Sequence, residues 1–246
     1  MISIKNITKH YGKFKAVDNI NIEMKEGNVI GLIGPNGAGK TSTINMIIGL
    51  SNPTSGSIEI FGEKMDTSSI SVKKLIGYVS DNSNRFLKLK GIEYLNFISD
   101  IYKISSTERK TIILELSNFF EMTNHLDKRI EDYSRGMKQK IFIIASLLHK
   151  PKLWILDEPF NGLDPSSSHN LKEFIKKYAK QGNIILISSH ILEIMENLCD
   201  ELILIKSGKT LYSGNIKNLK KNFNEDTSLE EIYMEVLNNN GILEVN

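Results

Sequence analysis

The sequence predicts an α/β fold with a helical subdomain set into it, and three observations carry that reading. Short β-branched runs fill residues 2–62, apolar residues recur at helical spacing from about Lys88 to His149, and strand-like runs alternate with helix patterns from Leu153 onward. In the first stretch, Ile20-Asn21-Ile22-Glu23-Met24 and Ser57-Ile58-Glu59-Ile60 alternate apolar with polar, as half-buried strands do. Val29-Ile30-Gly31-Leu32-Ile33 is nearly continuous instead and predicts a strand buried on both faces. Ile92, Leu95, Ile98 and Ile101, then Ile112, Ile113, Leu116, Phe119 and Phe120, mark the inserted helices. Strand-like runs return at Leu153–Leu156, Ile184–Ile187 and Leu202–Ile205, the βαβ rhythm of a parallel sheet. Ser228 with Glu231 makes a capping-box pattern ahead of Ile232, Val236 and Leu237, which predicts a docked terminal helix. No repeat or long Gly/Pro/Ser-rich linker divides the chain. One domain over 1–246 is expected, with the helical subdomain at about 85–150 and a helical tail at about 215–246.

Composition narrows the function. The 31 basic residues nearly match the 29 acidic ones, so the net charge of +2 gives no general reason to bind nucleic acid, and none is expected as a partner. Any polyanion needs a local site. The single cysteine, Cys199, excludes an internal disulfide and fits a reducing compartment, with cytosol as the default. No apolar run approaches the roughly 18 to 20 residues that span a bilayer, and the opening Met1-Ile2-Ser3-Ile4-Lys5 lacks the apolar stretch of a signal peptide.

The local site for a polyanion follows the buried strand. Gly34-Pro35-Asn36-Gly37-Ala38-Gly39-Lys40-Thr41 matches the P-loop pattern, between that strand and a helix carrying Ile44, Ile47 and Ile48. Its glycines let the backbone wrap a phosphate chain, and the helix offers unpaired N–H groups and the positive end of its dipole. Lys40 supplies a point charge to the β and γ phosphates, Thr41 is the expected magnesium ligand, and Ser42 offers a hydroxyl toward the α phosphate. A glycine-rich turn ending by chance in Lys-Thr would not bring both flanks with it.

Leu153-Trp154-Ile155-Leu156 ends in two carboxylates, Asp157 and Glu158, at the carboxyl end of a strand, where open α/β sheets bind ligands. Alternation separates their directions. Asp157 suits magnesium, through water, while Glu158 suits orienting and deprotonating the water that attacks the γ phosphate. Trp154 belongs to the core.

Together these features resemble the ABC ATPase family, and further elements match in the family's order over nearly the whole chain. The resemblance implies a P-loop NTPase core with a mostly parallel sheet, an N-terminal antiparallel β subdomain and the inserted helices. Tyr11, in His10-Tyr11-Gly12, resembles the aromatic that stacks on adenine. Tyr133-Ser134-Arg135-Gly136-Met137 lies where the Leu-Ser-Gly-Gly-Gln signature sits; Ser134 and Gly136 are retained, and in the family they cap the γ phosphate held by the opposite cassette. Arg135 and Met137 depart from that pattern. Asn161-Gly162-Leu163-Asp164 stands at the D-loop position, implied to couple the two ATP sites, and His190 matches the switch histidine that steadies Glu158 and the water. The other histidines, 10, 125, 149 and 169, are expected to be solvated or structural. Asp81 replaces the family's usual glutamine, and is assigned to metal and coupling with the reservation that a carboxylate near phosphate needs a metal between them.

The resemblance implies an ATP-hydrolysing subunit using ATP and Mg2+, pairing with a second cassette, a copy or a homologue, to drive an integral membrane permease. Its place would be cytoplasmic, peripheral on the inner face of the cell membrane. The Ser134–Gln139 variant and the compact tail look like export-type cassettes for drugs, peptides or lipids. Arg85, Lys88 and Lys90 suggest a receiver for a permease loop or, more simply, a solvated basic stretch. The lysines at 217, 220 and 221 read as a solvated face. A soluble ABC ATPase acting on ribosomes or nucleic acid is the rival reading, and it lacks the second P-loop or long heptads expected of it. A silent regulatory cassette is disfavoured by the presence of Lys40, Asp157, Glu158 and His190.

Overall fold

The computed structural model describes residues 1–81, 86–223 and 227–239. The chain runs through β1 (Ile2–Tyr11), β2 (Phe14–Met24), β3 (Val29–Ile33), α1 (Lys40–Ile47), β4 (Ser55–Ile60), β5 (Glu63–Lys64), α2 (Ile70–Lys73) and β6 (Ile76–Val79). The inserted helices follow: α3 (Gly91–Ile101), α4 (Ser106–Phe119) and α5 (Arg135–Leu147). Then come β7 (Leu153–Asp157), α6 (Pro165–Lys180), β8 (Ile184–Ser188), α7 (Leu192–Leu198), β9 (Glu201–Lys206), β10 (Lys209–Asn215), α8 (Ile216–Lys221) and α9 (Leu229–Asn239).

The strands form an antiparallel sheet in the order β2-β1-β4-β5 and a six-stranded sheet in the order β10-β9-β3-β8-β7-β6. In the latter β9, β3, β8, β7 and β6 are parallel and β10 is antiparallel to β9. Period-two alternation sends successive residues to opposite layers. Val29, Ile33, Trp154, Leu156, Ile185 and Ile187 join the helical core, whereas Ile30, Leu32, Leu153, Ile155, Ile184 and Leu186 join the core shared with the antiparallel sheet. This two-sided burial is why β3, β7 and β8 read as continuous apolar runs.

Three strands lie outside the runs that the apolar pattern marks, the two-residue β5 among them. β6 has only four residues, and β10 is an edge strand paired on one side, so its outward face tolerates Ser213 and Lys209. Trp154 is fully buried, its indole N–H donating to Ser146 Oγ at 2.9 Å. The terminal helix forms where its capping pattern places it: Ser228 N donates to Glu231 Oε2 at 2.9 Å, and Ile232 and Val236 are buried. Lys88 and Lys90 are exposed, while Arg85 lies outside the described residues. One lysine of the expected solvated face departs from it, because Lys220 is mostly shielded and ion-paired to Glu196.

His149 is structural. Its ring stacks on Tyr102 with centroids 3.7 Å apart, and Nε2 faces the Ile76 carbonyl at 3.0 Å. Burial pushes its pKa down to about 4 from an ordinary 6.5, so the folded protein holds it neutral. A depressed histidine pKa gives stability that is complete above the unfolded value and lost as pH falls toward the folded one. Urea unfolding should therefore show about 2 kcal/mol lost between pH 7 and pH 5 from this group. His149→Phe, which keeps the stack without the titration, should remove that component; an identical acid slope in both proteins would refute it.

Candidate functional site

The glycine-rich loop expected to cradle phosphate follows β3 and leads into α1. Gly39 caps α1 with φ of +109°, a conformation open to glycine alone, and a Cβ there would lie 2.6 Å from the Ala16 carbonyl oxygen. The loop is thus wedged against β2, and Gly208 N donates to the Ala38 carbonyl at 2.9 Å from the β9–β10 turn. Lys40 Nζ donates to the Gly34 carbonyl at 2.6 Å and to that of Pro35 at 3.2 Å. Burial lowers its pKa, and the Glu158 and Asp157 carboxylates oppose that shift. Thr41 stays exposed and Ser42 half-buried.

Register delivers the acids. Asp157 pairs with Ser188 across β7 and β8, and the Ser188 hydroxyl donates to Asp157 Oδ1. Burial chiefly raises the Asp157 pKa; the Ser188 bond and Lys40 pull it down, while the charges of Glu158 and Asp81 push it up. Glu158 follows with φ of +51°, uncommon for a side chain larger than glycine, and its N–H donates to the Ser188 carbonyl at 2.9 Å. That turn brings Glu158 Oε2 to 2.9 Å from His190 Nδ1, with Ser189 Oγ at 3.4 Å. The carboxylate is 17% exposed and the imidazole 67%, so a shielded acceptor is held by a group still open to a ligand.

Thr41, Asp81 and Asp157 line one cavity of about 740 Å3 between the sheet and the inserted helices. Asp81 is exposed and accepts a long contact from Asn161 Nδ2 at 3.4 Å. The donor set fits a hydrated magnesium ion: one hydroxyl and two carboxylates face a common space. Among the described residues no group of three or more His, Cys, Asp and Glu could hold a metal unaided. An ion that takes its remaining ligands from phosphate and water needs no such group.

Tyr11 and the signature residues lie elsewhere. Neither cavity lined by P-loop residues includes Tyr11, Ser134 or Gly136. Tyr11 is half exposed at the β1–β2 turn, opposite Phe14, with the Lys9 ammonium 5.2 Å from its ring centre. Ser134 caps α5, its Oγ accepting from Met137 N at 3.2 Å, which leaves its hydroxyl proton free to donate. A Cβ on Gly136 would lie 2.7 Å from the Gly162 carbonyl, and one on Gly162 would lie 2.7 Å from Arg135 Cγ. The departure at Arg135 therefore has a local role: its stem packs on the D-loop glycine and ties α5 to that turn.

The sequence reading missed Ser188 and Ser189. The serines sit at the carboxyl end of β8, beside a strand already marked by two acids, and polar residues ending a buried run were the available signal.

Residues 17–161 match the family model described as ABC transporter. The chain is 37% identical over 226 residues to the uncharacterized ABC transporter ATP-binding protein YhaQ of Bacillus subtilis, a match covering 91% of this chain and 74% of that one. It is 40% identical over 222 residues to the bacitracin transport ATP-binding protein BcrA of Bacillus licheniformis, covering 90% of this chain and 72% of that one. A solved ATP-binding subunit of an ABC transporter is similar with a TM-score of 0.91 and 30% identity, over 96% of this chain and 99% of that chain.

Proposed function

The chain belongs to the ABC transporter family as an ATP-binding, ATP-hydrolysing subunit, and from that premise we propose that it drives a separate membrane-spanning permease that exports a drug, peptide or lipid. The contact between Glu158 and His190 at 2.9 Å, beside Lys40 and the P-loop, supports the hydrolytic half most directly. Lys40 and the first amides of α1 bind the phosphates, Glu158 orients the attacking water and accepts its proton, and His190 keeps that carboxylate aimed. Magnesium, held by Thr41 and Asp157 with Asp81 on the same cavity wall, would neutralise phosphate charge when bound. Tyr11 gives adenine a ring face whose stacking is worth about 1 to 3 kcal/mol.

Two cassettes meeting head to tail would place Ser134 and Gly136 of one over the phosphates of the other. The P-loop cavities include neither residue, which supports a contact in trans, since the N-terminus of α5 offers spare hydrogen-bond donors to a phosphate brought by another chain. For the permease, the support is a groove and its rim. Among the described residues no helix is long and apolar enough to cross a membrane. The 740 Å3 cavity has Leu50 and Phe86 in its lining, both exposed apolar side chains. Similarity to a bacitracin transport protein makes a compound of that kind the first cargo to assay.

The test is affinity capture of the Glu158→Gln chain with ATP from detergent-solubilised membranes. A stoichiometric protein with several membrane spans is the expected result. Recovery of ribosomes, DNA or other soluble partners alone would replace the permease reading with that of a soluble ATPase.

A further inference from the structure

A second cavity, of about 210 Å3, is lined by P-loop residues. Pro35 and Asn36, His190 and Leu192, and Tyr233 of α9 all line it. A side chain from the terminal helix thus shares a wall with the phosphate loop and the switch histidine.

That helix is anchored at both ends. At its start Leu229 N donates to Glu196 Oε2 at 3.0 Å, and the other carboxylate oxygen pairs with Lys220 of α8. Glu196 sits in α7, which begins two residues after His190. At its far end the Leu237 carbonyl accepts from Lys206 of β9. Between these ties Leu229, Ile232 and Val236 are buried, so α9 presents Tyr233 from a fixed frame. Burial raises the phenol pKa, which keeps the ring neutral beside the phosphate loop. His190 lacks such support of its own, with a mostly exposed ring and a bond to Glu158.

We propose that Tyr233 is a positioning residue for the switch histidine. Its ring bounds the space that Ser189, His190 and Leu192 share with the P-loop and limits how far that segment can move, so that His190 meets Glu158 in the geometry turnover needs. The proposal rests on the assignment of Glu158 and His190 to hydrolysis, and extends it to the terminal helix.

Tyr233→Ala should lower kcat about tenfold or more while KM for ATP stays within about twofold, since small misplacements of catalytic groups act on the chemical step. Tyr233→Phe should behave as wild type, because the ring and not the hydroxyl provides the wall. Amide exchange of residues 189–195 in the nucleotide-free protein should quicken in the alanine variant alone, with Tm nearly unchanged. Should alanine unfold the protein, Tyr233→Leu replaces it, with the same loss of kcat expected. In a His190→Ala background the Tyr233 substitution should add no further loss. Wild-type kcat and exchange in Tyr233→Ala, multiplicative losses in the double variant, or a phenylalanine variant as impaired as alanine would each overturn the proposal. Full turnover in His190→Ala alone would instead show that the histidine assignment fails, and the exchange measurement separates the two outcomes.

Discussion

Glu158→Gln is expected to lower ATP turnover by roughly 10²- to 10⁴-fold while leaving ATP binding close to wild type. Glutamine keeps the shape of the side chain and can still bond His190, and the φ of +51° is held by backbone contacts that the substitution leaves alone. The 158 N–H continues to donate to the Ser188 carbonyl, and its carbonyl to accept from Asn161 N at 3.2 Å. What disappears is the proton acceptor. Lys40 and α1 remain to hold phosphate, so an ATP-bound closed pair should accumulate and elute as a dimer where the wild type does not. Steady-state phosphate release and size-exclusion chromatography read the two effects. Turnover within tenfold of wild type would remove Glu158 from the role of base.

Gly39→Ala should raise the Kd for ATP at least ~100-fold, equivalent to about 3 kcal/mol. Two costs add at this position. A φ of +109° lies outside the space of L side chains, at about 1 to 3 kcal/mol, and the new Cβ would lie 2.6 Å from the backbone oxygen of Ala16. Backbone cannot rotate away as a flexible side chain can, so the start of α1 or the strand carrying Ala16 must move, and with it the amides that face phosphate. Gly37→Ala is the control. Its φ is +78°, but an added Cβ meets nothing within 4 Å, so it should pay strain alone and weaken binding much less. Equal affinities for the two variants, by calorimetric titration, would show that the wedge against Ala16 does not shape the cradle.

The sheet order and the proposed catalytic cluster differ in how far the residue pattern could reach. Val29–Ile33, Leu153–Leu156 and Ile184–Ile187 were legible as buried strands because both faces of each are covered, which removes every polar residue from the run. β10 was not, since an edge strand answers to one neighbour and keeps polar residues on its open side. The P-loop and the Asp157–Glu158 pair were legible because backbone wrapping and metal chemistry demand particular residues at adjacent positions. Ser188 and Tyr233 were not, because each acts through a partner distant in sequence, and no local spacing encodes such a meeting. His149 shows the same limit: its sequence neighbours say nothing of the Tyr102 ring that buries it.

By itself, then, the sequence marked which strands are buried on both faces, the capped start of the terminal helix and the glycine-rich loop proposed to cradle phosphate, all properties set within a few residues by periodicity, capping and glycine stereochemistry. Tertiary structure alone decided that Ser188 bonds Asp157, that the Arg135 stem packs on Gly162, and that the terminal helix brings Tyr233 to a cavity shared with the P-loop. Those are contacts between segments far apart in the chain, and packing of the two cores against the central sheet is what brings them within reach.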